Sequence, residues 1–164
     1  MPDELSHLDA DGRVRMVDVG HKGATARRAV AEAWLHVGPE VMEVVRCGRT
    51  PKGNVYETAR LAGIMAAKRT GELIPLCHNL VLDHVDVAFE PGDDRIRVVA
   101  TAATRAATGV EMEALTAAAV AGLTLYDMLK ALTHDMTLSG VRLLEKSGGA
   151  SGHYRASDAE GKAT

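Results

Sequence analysis

Aromatic residues and cysteine are both scarce in this chain of 164 residues, and each scarcity excludes a class of protein. One Phe, one Trp and three Tyr are too few to fill a core, so its volume must come from small aliphatic side chains in close contact. The two cysteines, Cys47 and Cys77, lie far apart without a CxxC pattern, which excludes a disulfide framework and a cysteine zinc site. A reducing cytoplasm is therefore the expected compartment.

Excess basic charge and long apolar runs are missing as well. A net charge of −3 and a pI near 6.2 provide no general electrostatic footprint for nucleic acid. No segment approaches 18 uninterrupted apolar residues, and the chain begins with acidic residues rather than with the apolar region of a signal peptide. We therefore expect no nucleic-acid partner, no membrane insertion and no secretion.

The length and composition predict one globular domain. No linker, repeat or low-complexity block divides the chain, so we predict a flexible segment over residues 1–13, a single α+β domain over 14–147, and a glycine-rich loop with a flexible tail over 148–164. Hydrophobic residues make up 46% of the chain but are mostly Ala, Val and Leu. Because such a core is thin for a monomer, we expect a homo-oligomer.

Hydrophobic periodicity and capping signals predict seven elements. Period-two alternation indicates strands, while Asn54 as an N-cap and Gly71 just past a helix end delimit the second helix. The elements are a strand over 25–37, helices over 39–46 and 54–69, a hairpin of strands over 80–90 and 95–104, a long helix over 110–132, and a short strand over 141–144. This order predicts an α+β fold resembling a ferredoxin-like plait, with an antiparallel sheet and helices packed on one face.

Three charged residues of the long helix are candidates for acid–base chemistry. Asp127 and Lys130 share a face at i, i+3, and Glu113 falls within about 40° of Asp127 around the axis. The 14 residues between Glu113 and Asp127 span about 21 Å, which is too far for one small site, so the two ends would serve different copies of the site. The ordinary alternative is a surface ion pair worth less than about 1 kcal/mol and a helix-start charge.

Further cations and an imidazole suggest an anionic substrate. Lys52 precedes a helix and Lys146 precedes a glycine loop, where an ammonium and backbone N–H groups can hold phosphate together. The alternatives are solvated lysines, a helix-dipole role for Lys68, and a core role for His78. A metal site at His78, Asp83, His84 and Asp86 is disfavoured, because a strand places Asp83 on the face opposite His84 and Asp86.

Several strings taken together are far more specific than any one residue. In matching order over residues 14–152, the chain closely resembles the cyclic pyranopterin monophosphate synthase family, also called molybdenum cofactor biosynthesis protein C. The matching strings are MVDV (16–19) with Thr25 and Arg27, Lys52-Gly53, ARLAGIMAAK (59–68), LIPLCH (73–78), GVEMEALT (109–116), LYDM (125–128) with Lys130-Ala131, and KSGG (146–149).

This resemblance implies a fold, an assembly and an activity. We expect a ferredoxin-like subunit in a homohexamer, built as a trimer of dimers, with active sites at subunit interfaces. The family converts cyclised 7,8-dihydro-GTP to cyclic pyranopterin monophosphate and releases pyrophosphate, which is phosphorus–oxygen lyase chemistry. The resemblance implies no organic cofactor, no metal held by the protein itself, and at most magnesium accompanying the substrate triphosphate. A different interpretation is a catalytically silent nucleotide-binding or scaffolding homologue.

The resemblance also assigns residues to roles. Lys52 and Lys130 correspond to the acid–base pair, and Asp127 to the partner that holds Lys130. Contacts to the pterin or sugar are expected from His78 and Glu113, and contacts to the triphosphate from Lys68, Lys146 and Arg27. Neighbouring motif residues complete the substrate-binding set: Leu76, Cys77, Glu111 and Met112. A lysine beside other cations can have its pKa lowered towards neutrality and so exchange protons.

Overall fold

The computed structural model of the chain describes residues 7–9 and 11–157. Along these residues the elements follow in the order β1 (Thr25–His36), α1 (Pro39–Arg46), α2 (Val55–Lys68), α3 (Thr70–Leu73), β2 (His84–Pro91), β3 (Arg95–Ala106), α4 (Glu111–Leu129), β4 (Thr137–Ser147) and β5 (Tyr154–Arg155). The division into residues 1–13, 14–147 and 148–164 stays a prediction, and residues 1–6, 10 and 158–164 lie outside the described part.

The strands form one open sheet in the order β2-β3-β1-β4-β5, and every neighbouring pair is antiparallel. The central strand is β1, which pairs with β3 on one side and β4 on the other. This strand order, with the helices on one face, is the ferredoxin-like plait, so the predicted fold class is confirmed.

Alternation along β1 separates the two faces of the sheet. Ala29, Ala31, Ala33 and Leu35 are buried under the helices, as the period-two pattern predicts. The residues between them point to the face away from the helices, which we call the open face. On that face the buried carboxylate of Glu32 lies between two guanidinium groups, those of Arg97 and Arg142, each with its Nε 2.6 Å from a Glu32 oxygen.

Small residues allow α2 and α4 to pack closely over the sheet. A Cβ placed on Gly63 of α2 would lie 2.9 Å from the Ala117 carbonyl oxygen and 3.2 Å from the Ala121 Cβ of α4. The two helices run antiparallel, because Lys52 before α2 contacts Asp127 near the end of α4. The alanine-rich core predicted from composition is confirmed, and α4 holds two of its largest fully buried side chains, Leu125 and Leu129.

The structure corrects several element boundaries. β2 begins at His84 rather than at residue 80; in the segment before it, the Val81 carbonyl accepts a hydrogen bond from the Thr104 side-chain hydroxyl. β4 begins at Thr137, since pairing of Ser139 with Trp34 of β1 overrides the low strand propensity of the segment before residue 141. Gly71 does not end α2 but lies inside the short helix α3. Neither α3 nor β5 was predicted.

Within the described part of the chain, α4 alone is long and apolar enough by length and composition to cross a membrane. Half of its apolar stretch is buried in the fold, where it packs against α2 and the sheet. This is the ordinary position of a core helix. The helix therefore adds little support for a membrane span.

Candidate functional site

Two lysines and one carboxylate meet at the C-terminal end of α4, in what we call the lysine–aspartate cluster. Lys52, in the loop before α2, places its Nζ 2.9 Å from Oδ2 of Asp127 and 2.9 Å from the Asp127 carbonyl oxygen. Lys130, at the C-cap of α4, places its Nζ 2.7 Å from Oδ1 of the same carboxylate. The structure thus brings together all three residues that the resemblance assigns to catalysis, and it does so within one chain.

The charges in this cluster stabilise one another. The hydrogen bonds from Lys130 and then from Lys52 lower the pKa of Asp127 from 3.8 to about 2. In return, the hydrogen bond to Asp127 raises the pKa of Lys130. The general expectation that a lysine beside other cations has its pKa lowered does not hold for Lys130, because the hydrogen bond and the charge of Asp127 outweigh the opposing effect of desolvation. Lys130 holds its proton here and is placed as a donor.

A cavity of about 430 Å³ lies at the other end of α4, beside its first turn. Its walls come from the N-terminal segment, the start of β1, the loop after α3, the β3–α4 connection and the loop after β4. Seven of the nine predicted substrate-binding residues line it: Arg27, Leu76, Cys77, His78, Glu111, Met112 and Glu113. Residues as far apart in the sequence as Arg27 and Glu113, 86 positions, therefore line one cavity. The order of the motifs along the chain does not reveal this proximity.

The orientation of His78 is set by the backbone of the opening motif. Its Nε2 lies 2.8 Å from the Val17 carbonyl oxygen. Because a carbonyl oxygen can only accept, Nε2 carries the hydrogen and donates it. In the neutral ring Nδ1 is then the basic nitrogen. The loop over residues 74–80 and the segment over 16–19 are thereby held against each other at the cavity.

Arg27 lies in the cavity wall with part of its hydrogen-bonding capacity unused. Its Nη2 donates to the Ala107 carbonyl at 3.3 Å, while its buried Nε has no partner among the described residues. A Cβ on Gly149 would clash with the Arg27 guanidinium, and Gly149 also has a φ of +78°. The glycine loop can approach Arg27 only because it lacks side chains there.

Lys146 connects the glycine loop to α4. Its Nζ lies 3.0 Å from Oε1 of Glu111 and 2.8 Å from the Ser151 hydroxyl oxygen. Both of these partners line the cavity, although Lys146 itself does not. Lys146 is therefore adjacent to the cavity and holds two of its walls together.

Two ionisable groups in the cavity have pKa values shifted by burial. Burial raises the pKa of Glu113; its own main-chain hydrogen bond partly opposes the shift, and the Glu111 carboxylate adds to it. Burial also raises the pKa of the Cys77 thiol, and the charge of Glu113 raises it further. Cys77 therefore stays a protonated thiol and is unsuited as a nucleophile, whereas Glu113 is placed to exchange a proton near its raised pKa.

The lysine–aspartate cluster and the cavity lie at opposite ends of α4. Glu113 and Asp127 both belong to the continuous helix α4, so the 14 residues between them correspond to about 21 Å along its axis. Lys68, the last residue of α2, is exposed and does not line the cavity. Since α2 runs antiparallel to α4, it ends near the start of α4. In a single chain the predicted site residues thus form two groups.

A larger cavity of about 730 Å³ opens on the open face and includes none of the predicted site residues. Its charged lining consists largely of groups that neutralise one another. Burial alone would raise the pKa of Glu32, but hydrogen bonds from Arg142 and Arg97 outweigh it and lower that pKa. The smaller cavity, whose ionisable groups are less completely paired, is therefore the better candidate for a ligand site.

Over residues 7–9 and 11–157, no group of three or more His, Cys, Asp or Glu side chains is arranged to hold a metal ion. His84 and Asp86 both belong to β2, whereas His78 lies in the cavity wall and Asp83 precedes the strand.

Sequence reasoning missed four polar residues that line the cavity: His7, Lys22, Thr108 and Ser151. Lys22 lies in the sequence between MVDV (16–19) and Arg27, and this proximity to two matching motifs could have identified it as a candidate cavity residue. His7 falls in a stretch without periodicity, and Ser151 follows the glycine motif. Their positions depend on chain reversals that local patterns did not reveal.

Comparisons with known proteins agree with this description. The family model described as MoaC family matches residues 16–149. A protein of Mycobacterium bovis named "Cyclic pyranopterin monophosphate synthase 3" is 55% identical over 159 residues, which cover 96% of this chain and 90% of the relative. Proteins of the same name in two strains of Mycobacterium tuberculosis show the same identity and coverage.

Proposed function

The chain belongs to the MoaC family of molybdenum cofactor biosynthesis, and from this premise we propose that it is a cyclic pyranopterin monophosphate synthase. It would convert cyclised 7,8-dihydro-GTP to cyclic pyranopterin monophosphate and release pyrophosphate. The reaction class is that of a phosphorus–oxygen lyase. The compartment that we propose is the cytoplasm.

The lysine–aspartate cluster is the observation that carries this proposal. Two ammonium groups within 3 Å of one carboxylate, all three partly exposed, provide proton donors that a bound substrate can reach. A purely structural ion pair requires only one lysine. The second lysine comes from a different loop, 75 positions earlier, and donates to both the side chain and the main chain of Asp127.

Each member of the cluster has a separate proposed role. Lys130 donates a proton to the substrate, because Asp127 keeps its ammonium form populated. Lys52 is the second member of the acid–base pair and shares the same carboxylate. Asp127 stays ionised at neutral pH and orients both amines, since the pKa of about 2 leaves no proton to transfer there.

The cavity is proposed to hold the substrate. The Nε of Arg27, which has no acceptor among the residues that the structure describes, supports an anionic ligand, because a buried N–H group without an acceptor is costly and a phosphate oxygen would satisfy it. Lys146 and Lys68 would add positive charge against the triphosphate. His78, Glu113 and Glu111 would contact the pterin or sugar, together with the neighbouring Leu76, Cys77 and Met112.

We propose that these two groups of residues meet between copies of the chain in a homohexamer, a trimer of dimers. Their separation along α4 supports a composite site, because one small substrate cannot span both ends of the helix. Exposed apolar side chains on the helix layer also favour assembly: Leu61, Met65 and Leu123 are 60%, 45% and 56% exposed.

No organic cofactor is proposed, because rearrangement and cyclisation with loss of pyrophosphate require proton transfer rather than net redox change. Magnesium, where it takes part, would enter with the triphosphate. Glu111 already pairs with Lys146, and burial disfavours the charged form of Glu113, so these two carboxylates do not form a dedicated magnesium cage.

The test is to incubate the purified chain with cyclised 7,8-dihydro-GTP and to follow pyrophosphate and the cyclic pterin. We expect product with the native chain, loss of product with retained substrate binding for Lys130→Ala, and near-native turnover for Arg49→Ala, an exposed cation in the same loop as Lys52. Saturable binding without any turnover by the native chain would instead establish the silent nucleotide-binding or scaffolding homologue.

A further inference from the structure

The N-terminal segment contributes a wall of the cavity that extends beyond the opening motif over residues 16–19. His7, Val17, Val19 and Lys22 all line it. Two of these side chains can be cationic, and among the described residues this segment places no acid in the wall. The two cavity carboxylates, Glu111 and Glu113, both come from the first turn of α4. Charge in the cavity is therefore segregated, and an anionic part of a ligand is favoured on the N-terminal side.

Local hydrogen bonds fix the position of His7. Leu8 and Val14 form an antiparallel bridge, and the Arg15 N–H donates to the His7 carbonyl at 2.9 Å. The Asp9 carboxylate closes the turn by accepting from the N–H groups of Asp11 and Arg13 at 3.0 and 2.8 Å. This small hairpin returns the chain to the cavity, so His7 is placed there by structure rather than by chance proximity.

The ring of His7 is oriented as well. Its Nδ1 lies 3.4 Å from the Arg15 carbonyl oxygen, which can only accept, so Nδ1 carries a hydrogen. The other ring nitrogen, Nε2, is then the atom available to a ligand. In the imidazolium form both ring nitrogens are donors, so Nε2 would then donate to an anionic oxygen.

We propose that His7 is a further ligand-contacting residue of the cavity, which binds an anionic oxygen of the substrate through Nε2 and takes up a proton as it does so. This inference rests on the proposed function. The other charged or titratable groups that line the same cavity are Lys22, Arg27, His78, Glu111, Glu113 and the thiol of Cys77. Because only His7 is changed in the variants compared below, a difference in proton uptake between them and the native chain is assigned to His7 and not to these groups.

Inorganic pyrophosphate is the probe, and its binding is measured by calorimetry in two buffers with different ionisation enthalpies. We expect His7→Ala to weaken binding about tenfold and to reduce proton uptake, because a charge-assisted hydrogen bond is lost. His7→Gln keeps a neutral donor and should fall between His7→Ala and the native chain. The matched control is His84→Gln, an exposed histidine outside the cavity, which should bind as the native chain does.

Turnover distinguishes the two proposals. If the native chain converts substrate and His7→Ala matches it in pyrophosphate affinity, proton uptake and KM, the role of His7 is wrong and the proposed function stands. If the native chain neither binds pyrophosphate nor converts substrate, both proposals fail. Thermal unfolding of each variant checks folding, and Asp9→Ala, which opens the turn, provides an independent variant expected to raise KM in the same direction as His7→Ala.

Discussion

At the scale of single residues, the environment of each carboxylate decides its chemistry. Asp127 and Glu113 belong to the same helix, and their pKa values move in opposite directions. Two ammonium groups stabilise the charged form of Asp127, whereas burial destabilises the charged form of Glu113. One carboxylate is therefore suited to hold cations and the other to exchange a proton.

We expect the Asp127 carboxyl group to titrate near pH 2 rather than near 3.8. Because the folded-state pKa is lowered, the stabilisation that this group provides is present above its ordinary pKa and is lost as the pH falls through about 2. Carbon-13 NMR of the side-chain carboxyl measures this. Lys130→Met should move the titration back towards 3.8, and a native value already near 3.8 would contradict the cluster geometry.

The raised pKa of Glu113 predicts that Glu113→Gln stabilises the unliganded protein. At low pH the Glu113 carboxyl is protonated in both the folded and the unfolded protein and costs no stability. As the pH rises, the unfolded chain ionises first, so the folded protein loses stability. This loss is complete once the pH exceeds the raised pKa of the folded state. The melting temperature of the variant should exceed that of the native chain by about 1 to 3 °C at pH 8 and should equal it at pH 4.

Calorimetry or circular dichroism gives the melting temperatures, and Glu57→Gln on the exposed side of α2 is the control. A lower melting temperature for Glu113→Gln at pH 8 would show that the charged carboxylate stabilises the fold. Turnover should fall in the same variant, because an amide cannot exchange the proton.

At the scale of elements, the contact between α2 and α4 holds the two groups of predicted site residues in place. Lys52 precedes α2 and Lys68 is its last residue, while Glu113 and Asp127 lie near the ends of α4. The close approach of the helices depends on Gly63, whose missing side chain makes room for the Ala117 carbonyl and for Val87 below it. The repeated small residues of the string over 59–68 therefore have a packing role.

We expect Gly63→Ala to destabilise the fold by about 1–3 kcal/mol, because its Cβ would lie 2.9 Å from backbone and 3.0 Å from the Val87 Cγ2 atom. The helix-propensity gain from alanine, about 1 kcal/mol, offsets only part of this cost. Chemical denaturation measures the change. Leu61→Ala, on the exposed side of the same helix, should change stability far less, and equal effects would show that the interface can relax.

Prediction of the elements succeeded where local chemistry and tertiary packing agreed. The β1 strand and the Asn54 N-cap could be predicted because alternation and side-chain capping are local signals. The structure confirms the cap, since the Asn54 side chain accepts a hydrogen bond from the Glu57 N–H at 3.1 Å. The start of β4 could not be predicted, because its first residues are strand only through pairing with β1. Element ends decided by a neighbouring strand are not visible in a local pattern.

At the scale of the whole molecule, the two ends of α4 predict how copies of the chain would cooperate. If each active site combines the cavity of one copy with the lysine–aspartate cluster of another, two inactive variants with defects in different groups should complement each other. Lys130→Ala carries a defective cluster and His78→Ala a defective cavity. Random assembly of equal amounts should restore about one quarter of native turnover, since one site in four receives two intact halves.

Co-expression of the two variants with different tags, followed by turnover measurement on the mixed assembly, tests this prediction. Mixing Lys130→Ala with Lys52→Ala is the control, because both defects lie in the same group and no combination yields an intact cluster. Absence of recovery in a demonstrated mixed assembly would place each complete site within one chain and contradict the composite site.

The sequence by itself determined the α+β class, the ferredoxin-like order of elements, the alanine-rich core and the family, because hydrophobic period, capping residues and motif strings are properties of neighbouring positions. Only the tertiary structure showed that Lys52 and Lys130 share one carboxylate, that His78 is held by the Val17 carbonyl, and that His7 lines the cavity. These contacts join segments brought together by folding, and the resulting desolvation and charge pairing set the pKa values on which the chemistry depends.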